Sequence, residues 1–144
     1  METKIRCAWC EKDDLYRDYH DNEWGNPVYD DDKLFEFLVL ETFQAGLSWY
    51  TILKKRDHFR KAFDQFDYKK VALYNETKVQ ELMQNEGIIR NQLKIRGTIS
   101  NAVAFMKVQE EFGSFSKYIW GFVNHQPIVT NLKSMSEIKA TTEI

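Results

Sequence analysis

No stretch of this 144-residue sequence is both apolar and long enough to span a bilayer, and its N-terminus shows no signal-peptide pattern. A soluble, cytoplasmic chain with no membrane partner is therefore expected. Only two cysteines are present, Cys7 and Cys10, three positions apart. A bridge between them would be too short to staple a fold, and an intracellular Cys-x-x-Cys more often signals metal or redox chemistry. There is no Gly-rich phosphate loop, no dinucleotide fingerprint, no internal repeat and no low-complexity run. No pair of alternating segments reads as a strand pair, so the fold expected is all-α.

Hydrophobic residues make up 43% of the chain, enough for a single domain spanning 1–144 with a real core. Aromatics reach 15%, an excess that a recognition surface or an aromatic-lined pocket would use. The net charge of −2 hides an uneven distribution. Residues 1–49 hold five Lys/Arg against twelve Asp/Glu, and residues 50–100 hold eleven against six. A basic middle is compatible with a face that meets phosphates, and equally with solvated helix surfaces.

Leu15 and Tyr19 share a helical face at i, i+4 within Lys12–His20. Cys7, Cys10 and His20 form either an incomplete metal-ligand set or two ordinary thiols and a helix-end histidine, since a tetrahedral structural zinc needs four ligands. Asp30, Asp31 and Asp32 supply acids for the start of a helix running to about Ala45. That helix is apolar almost all round, with Glu36 its clearest exposed position. On a helical wheel Leu34, Leu38 and Ala45 share a face with Glu41 at its centre and Phe37 beside it. Gly46 breaks the helix, Ser48 caps the next one, and Leu47 is left between them, with Trp49 following. The next helix reaches about Phe63, with Ile52, Phe59 and Phe63 inward and Lys54–Arg56, Arg60 and Lys61 mostly outside.

Asp67 reads as the cap of a short turn through Lys70–Leu73, and Asn75 as the cap of the following helix, with Val79, Leu82 and Met83 on its apolar side. A turn at Asn85–Asn91 then leads into a long helix whose expected stripe is Ile95, Ile99, Ala102, Val103 and Met106. This helical hairpin, about 75–106, carries Arg90, Lys94 and Arg96 just after its turn. It is either a plain hairpin or a phosphate grip built from free backbone N–H groups and these cations. Ser114 or Ser116 caps a last helix, and periodicity fades after Pro127.

Several blocks together resemble the DNA-3-methyladenine glycosylase I family of helix-hairpin-helix glycosylases. They are Tyr19-His20-Asp21-Asn22-Glu23-Trp24-Gly25, Glu41 with Gln44-Ala45-Gly46-Leu47-Ser48-Trp49, Leu53-Lys54-Lys55-Arg56, Gly87-Ile88-Ile89-Arg90 and Phe122-Val123-Asn124-His125-Gln126-Pro127. The resemblance runs in order from about Arg6 to Ile138. It implies a DNA repair enzyme that flips an alkylated base out of double-stranded DNA, hydrolyses the N-glycosidic bond of 3-methyladenine and leaves an abasic site.

Under that resemblance Glu41 is the active-site carboxylate, reading the base and stabilising charge. Trp49 stacks on the base, and Tyr16, Tyr19 and Trp9 line the rest of its pocket. Gly46 and Leu47 press into the duplex, while Gly87, Arg90 and Lys94 hold DNA at the hairpin. The resemblance also implies a structural zinc, with Cys7 and His20 matching two of its four ligands and Cys10 an additional thiol nearby. The family's C-terminal pair of ligands has no counterpart here, so the zinc site is incomplete and the chain reads as short of the family's C-terminal segment. The long helix after Asn91 holds no Asp, in keeping with a family that lacks the catalytic Asp of many superfamily relatives. A monomer is expected, with self-association as a consequence of the shorter chain. The competing readings are a non-catalytic helical nucleic-acid-binding module and a truncated, inactive family member.

Overall fold

The computed structural model describes residues 4–144, and the described residues contain helices and no strands. The helices are α1 Asp14–Asn22, α2 Asp31–Gln44, α3 Trp49–Ala62, α4 Tyr68–Val71, α5 Glu76–Met83, α6 Gln92–Phe112 and α7 Phe115–Gly121, with 3-10 turns at Ala8–Cys10, Asp64–Phe66 and Met135–Glu137. The all-α expectation holds, and the helix starts follow the caps read from sequence. Asp30, Ser48, Asp67 and Asn75 each accept a backbone N–H of the helix they precede, and so does Asn91, which was not among the caps expected. Of the two serines offered for α7, Ser114 caps it, its Oγ accepting the Lys117 N–H at 3.0 Å. No described helix is long and apolar enough to cross a membrane.

The span expected as one domain divides into two compact units. One comprises the chain up to Pro27 together with Ile119–Ile144, and the other is Val28–Tyr118. The second unit holds a phenylalanine-rich core. Phe43 meets Phe59 edge-on at 4.8 Å, and Phe59, Phe63 and Phe66 stack in series. Phe35 and Phe115 both pack on Phe105 from α6. Offset and edge-on aromatic pairs add directional preference to ordinary apolar burial. Asp31 locks the ends together: its carboxylate accepts the N–H groups of Phe115 and Ser116 and the amide of Gln109.

Three expectations about helix faces are corrected. α2 buries Phe35, Glu36, Val39, Leu40 and Phe43, so Glu36 is inside and Glu41 is exposed. A helix apolar on every side has no single face encoded by its wheel, and here the aromatic side was drawn into the core. Glu36 is tolerated there because Arg60 turns in to it, donating from Nε at 3.0 Å and from Nη2 at 2.7 Å. Arg60 is thus not one of the outward cations. On α6 the buried positions are Ile95, Thr98, Ala102 and Phe105, while Val103 is exposed. Phe105 takes its place because the bulkier ring fills the gap between Phe35 and Phe115.

The first unit is aromatic around α1 and irregular near its end. Leu15 is exposed and Tyr19 buried. Residues after Pro127 lie on the surface, with one 3-10 turn among them, as the fading periodicity predicts.

Candidate active site

The turn between α2 and α3 leaves few backbone groups to chance. Gly46 sits at φ +79°, a left-handed conformation that a side chain would strain. Leu47 N–H donates to the Gln44 carbonyl at 2.7 Å, and the Gln44 side-chain amide returns to the Leu47 carbonyl at 2.8 Å. Ser48 Oγ then accepts the Thr51 N–H and opens α3. Leu47 projects from this braced turn, 39% exposed. Gln44 was not singled out from sequence, although its position next to a helix-ending Gly is the signal for such a bracket.

One turn upstream on α2 stands Glu41, which has no hydrogen-bond or ion-pair partner among the described residues. Its side chain is exposed, yet enough protein surrounds it that desolvation raises its carboxyl above the ordinary glutamate value. Phe37, four residues earlier on the same face, stacks with Trp49 at 6.4 Å between ring centroids and 27° between planes. A partly desolvated carboxylate without a partner among the described residues, on the helix face that carries one of two stacked rings, suits a flat cationic guest.

The remaining predicted pocket residues belong to the first unit and meet there. Tyr16 and Tyr19 lie 6.3 Å apart, and Trp9 contacts them at 4.8 and 6.4 Å. Burial, then the neighbouring Cys10, raises the Tyr16 phenol, so it stays a neutral donor. Trp24 is 43% exposed and stacks on His20.

The hairpin turn is anchored by Ile88, 3% exposed. Gly87 is required by crowding, since a Cβ there would stand 2.9 Å from His58 of α3. The Gly87 N–H already donates to Asn85 Oδ1 at 2.9 Å, so it is not itself a free phosphate donor. No acceptor among the described residues takes the N–H groups of Ile89 and Arg90, and the Arg90 side chain is exposed without a partner among them. These are the groups left to meet an anion. Arg96 is committed to Glu76 at 2.7 Å. Lys94 points its ammonium to the carbonyls of Phe43 and Ala45, at 2.8 and 2.6 Å. Both pairings join residues at least twenty positions apart, beyond the reach of helical spacing. Lys54 lies over the Tyr50 ring at 4.6 Å, and Lys55 lines an open hollow of about 490 Å³ with Thr51, His58, Glu86 and Gly87.

The predicted zinc ligands also lie together. His20 Nδ1 is 2.9 Å from Asp21 Oδ1, which orients the ring and leaves Nε2 facing the Cys7 amide at 3.4 Å. Asp21 is held well below the usual carboxylate range, first by Arg6 and then by His20. Cys10 does not extend the set. It is buried, its thiol is pushed up by desolvation, and its Sγ donates to the Cys7 carbonyl at 3.1 Å. Among the described residues no group of three or more His, Cys, Asp or Glu is placed to hold a metal. The pair does not close a tetrahedral zinc site, although a hollow of about 500 Å³, lined in part by Leu132, Met135 and Ile138, opens beside it.

The geometry can be set against known proteins. The methyladenine glycosylase family profile matches residues 9–144. DNA-3-methyladenine glycosylase 1 of Escherichia coli K12 is 50% identical over 137 residues, covering 95% of this chain and 73% of that protein. A crystal structure of 3-methyladenine DNA glycosylase I superposes with a TM-score of 0.93 at 47% identity, over 96% of this chain and 76% of its own. A structure concerned with 3-methyladenine recognition by the Staphylococcus aureus glycosylase gives 0.81 at 40% identity, over 85% and 65% of the two chains. With the profile covering nearly its whole length and half its residues shared with the E. coli enzyme, this all-α chain belongs to the methyladenine glycosylase family.

Proposed function

We propose that this chain removes 3-methyladenine from alkylated double-stranded DNA by hydrolysing its N-glycosidic bond. The observation that carries the proposal is Glu41, partly desolvated and without a partner among the described residues, one helical turn before the Gln44 that braces the Leu47 turn and on the same face of α2 as Phe37, which stacks with Trp49. The relatives named for this activity, including one whose structure concerns 3-methyladenine recognition, support the choice of base.

The mechanism follows from charge. Methylation at N3 makes the purine cationic, so it departs as a neutral leaving group and the glycosidic bond is weak before any catalysis. Leu47 enters the gap in the stack while Ile89, Arg90 and their backbone donors hold a phosphate, together offsetting the few kcal/mol spent on extruding the base. Glu41 and the flanking rings favour the cationic base over normal adenine. As the bond breaks, Glu41 steadies positive charge on base and sugar, and water attacks the oxocarbenium-like centre. No Asp on α6 stands ready to activate that water, so binding and electrostatics carry the rate. Trp9, Tyr16 and Tyr19, which cluster within the first unit, are assigned to base recognition by the family likeness alone.

Zinc enters only as an extension of the proposal: Cys7 and His20 would give it a thiolate and an imidazole, with Asp21 fixing the ring. No catalytic step depends on it. Zinc that survives replacement of both residues would remove this assignment. We take the active species on DNA to be the monomer.

The test is incubation of the purified chain with methylated duplex DNA and chromatography of the released bases. Free 3-methyladenine, with unmodified adenine retained, is the expected result. Salt-sensitive DNA binding without release would instead make this a binding module.

A further inference from the structure

We infer that Lys94 is a positioning residue that ties the duplex-probing turn and the end of the Glu41 helix to the DNA-gripping hairpin. This rests on the glycosylase reading above and assigns Lys94 a different task from the phosphate contact its basic neighbourhood suggests.

A helix C-terminus presents unsatisfied carbonyls and partial negative charge. α2 ends at Gln44, and its cap residue Ala45 is extended, at φ −50° and ψ 122°. The last turn of α2 holds no basic residue, and the N–H of its cap residue Ala45 does not return to a carbonyl of the helix. Lys94, 51 and 49 residues away, supplies both the charge and the donors, to Phe43 O at 2.8 Å and to Ala45 O at 2.6 Å. The Gln44 carbonyl is taken by Leu47 N–H and the Leu47 carbonyl by the Gln44 amide. Lys94 therefore takes two of the carbonyls around the turn that carries Leu47.

The other end of Lys94 is equally fixed. Its backbone N–H donates to Asn91 Oδ1 at 3.0 Å, in the first turn of α6 and directly after the hairpin. A cation in a helix's first turn opposes that helix's own dipole, and this turn of α6 contains no acid to offset it. The C-terminus of α2 provides the offset. A lysine that is unfavourable where its backbone sits is stabilised where its ammonium goes. The consequence is mechanical: a hairpin seated on the phosphates also sets the height of Leu47 and the last turn beyond Glu41.

The test compares the wild-type chain with Lys94→Met and Lys94→Arg. In the free protein, Lys94→Met should speed amide hydrogen exchange at Gln44–Ser48 at least about tenfold while Phe105 in α6 keeps its protection. On methylated duplex at saturating protein, base release should slow by about 10- to 100-fold, the scale of a small misplacement. The slope of log affinity against log salt should not change. Lys94→Arg, with parallel N–H donors, should recover most of the release rate. A slope reduced by about 0.9 would make Lys94 a phosphate contact and overturn the inference. Unchanged exchange at Gln44–Ser48 would overturn it as well. Should Lys94→Met not fold, Lys94→Gln, which keeps a donor without the charge, carries the same readouts. A wild-type chain that releases no base would defeat the glycosylase reading, whereas the exchange data judge Lys94 independently.

Discussion

Two glutamates five positions apart on α2 show how environment divides one residue type into two tasks. Glu36 is buried and paired with Arg60, while Glu41 is exposed in area, partly desolvated and unpartnered. Arg60→Met should destabilise the protein by about 1–3 kcal/mol, because it leaves a buried carboxylate with only the more distant Lys33, at 3.7 Å, as a charge partner. Chemical denaturation checks this, and a paired Glu36→Leu change should recover much of the loss. Glu41→Gln should cut base release by about 10- to 100-fold, the scale of one charge-assisted hydrogen bond. It should also flatten the acid side of the pH–rate profile. A raised carboxyl is protonated earlier as pH falls, so wild-type release should decline from above the ordinary glutamate range of about 4.3. The stability sign is opposite. A carboxyl raised on folding disfavours the folded state as pH rises through its folded value, so Glu41→Gln should raise the neutral-pH melting temperature.

At the scale of elements, the proposed phosphate grip at the hairpin separates residues that build the turn from those left to meet an anion. Ile88 anchors, Gly87 makes room for His58, and Asn85 consumes the Gly87 N–H. That leaves Ile89, Arg90 and their amides as the DNA-facing group in our proposal. Arg90→Ala should therefore weaken binding uniformly across duplex sequences and lower the salt slope by about 1, measured by titration at several salt concentrations. Helix starts were legible in sequence because a cap is a local event, decided by a side chain and an N–H two or three residues away. Asp30, Ser48 and Asn75 illustrate it. Helix faces were legible only when one side was distinctly polar. α5 met that condition, with Val79 and Leu82 buried, and α2 did not.

For the molecule as a whole, Asp31 is one of the carboxylates, with Asp21 and Glu76, through which acid should destabilise the fold. Burial alone would raise its carboxyl, but hydrogen bonds from Gln109, Phe115 and Ser116 outweigh it and the group is lowered. A lowered carboxyl contributes stability that is fully present above its unfolded value of about 3.9 and lost as pH falls through its folded value. Melting temperature should thus hold near neutrality and drop below about pH 4, and more shallowly in Asp31→Asn. Asp31→Ala should cost about 1–2 kcal/mol, as for a lost helix cap.

Family, helical class and the chemistry of the substrate were all within reach of the sequence, because they reside in contiguous blocks such as Gln44–Trp49 and Gly87–Arg90 and in the absence of an Asp from α6. Tertiary structure decided which side of α2 faces the core, that Arg60 serves Glu36, that Arg96 serves Glu76, and that Lys94 holds carbonyls. Each of those outcomes joins positions 20 or more residues apart, where the winning partner is set by packing geometry and by which charge would otherwise be left buried or at a bare helix end.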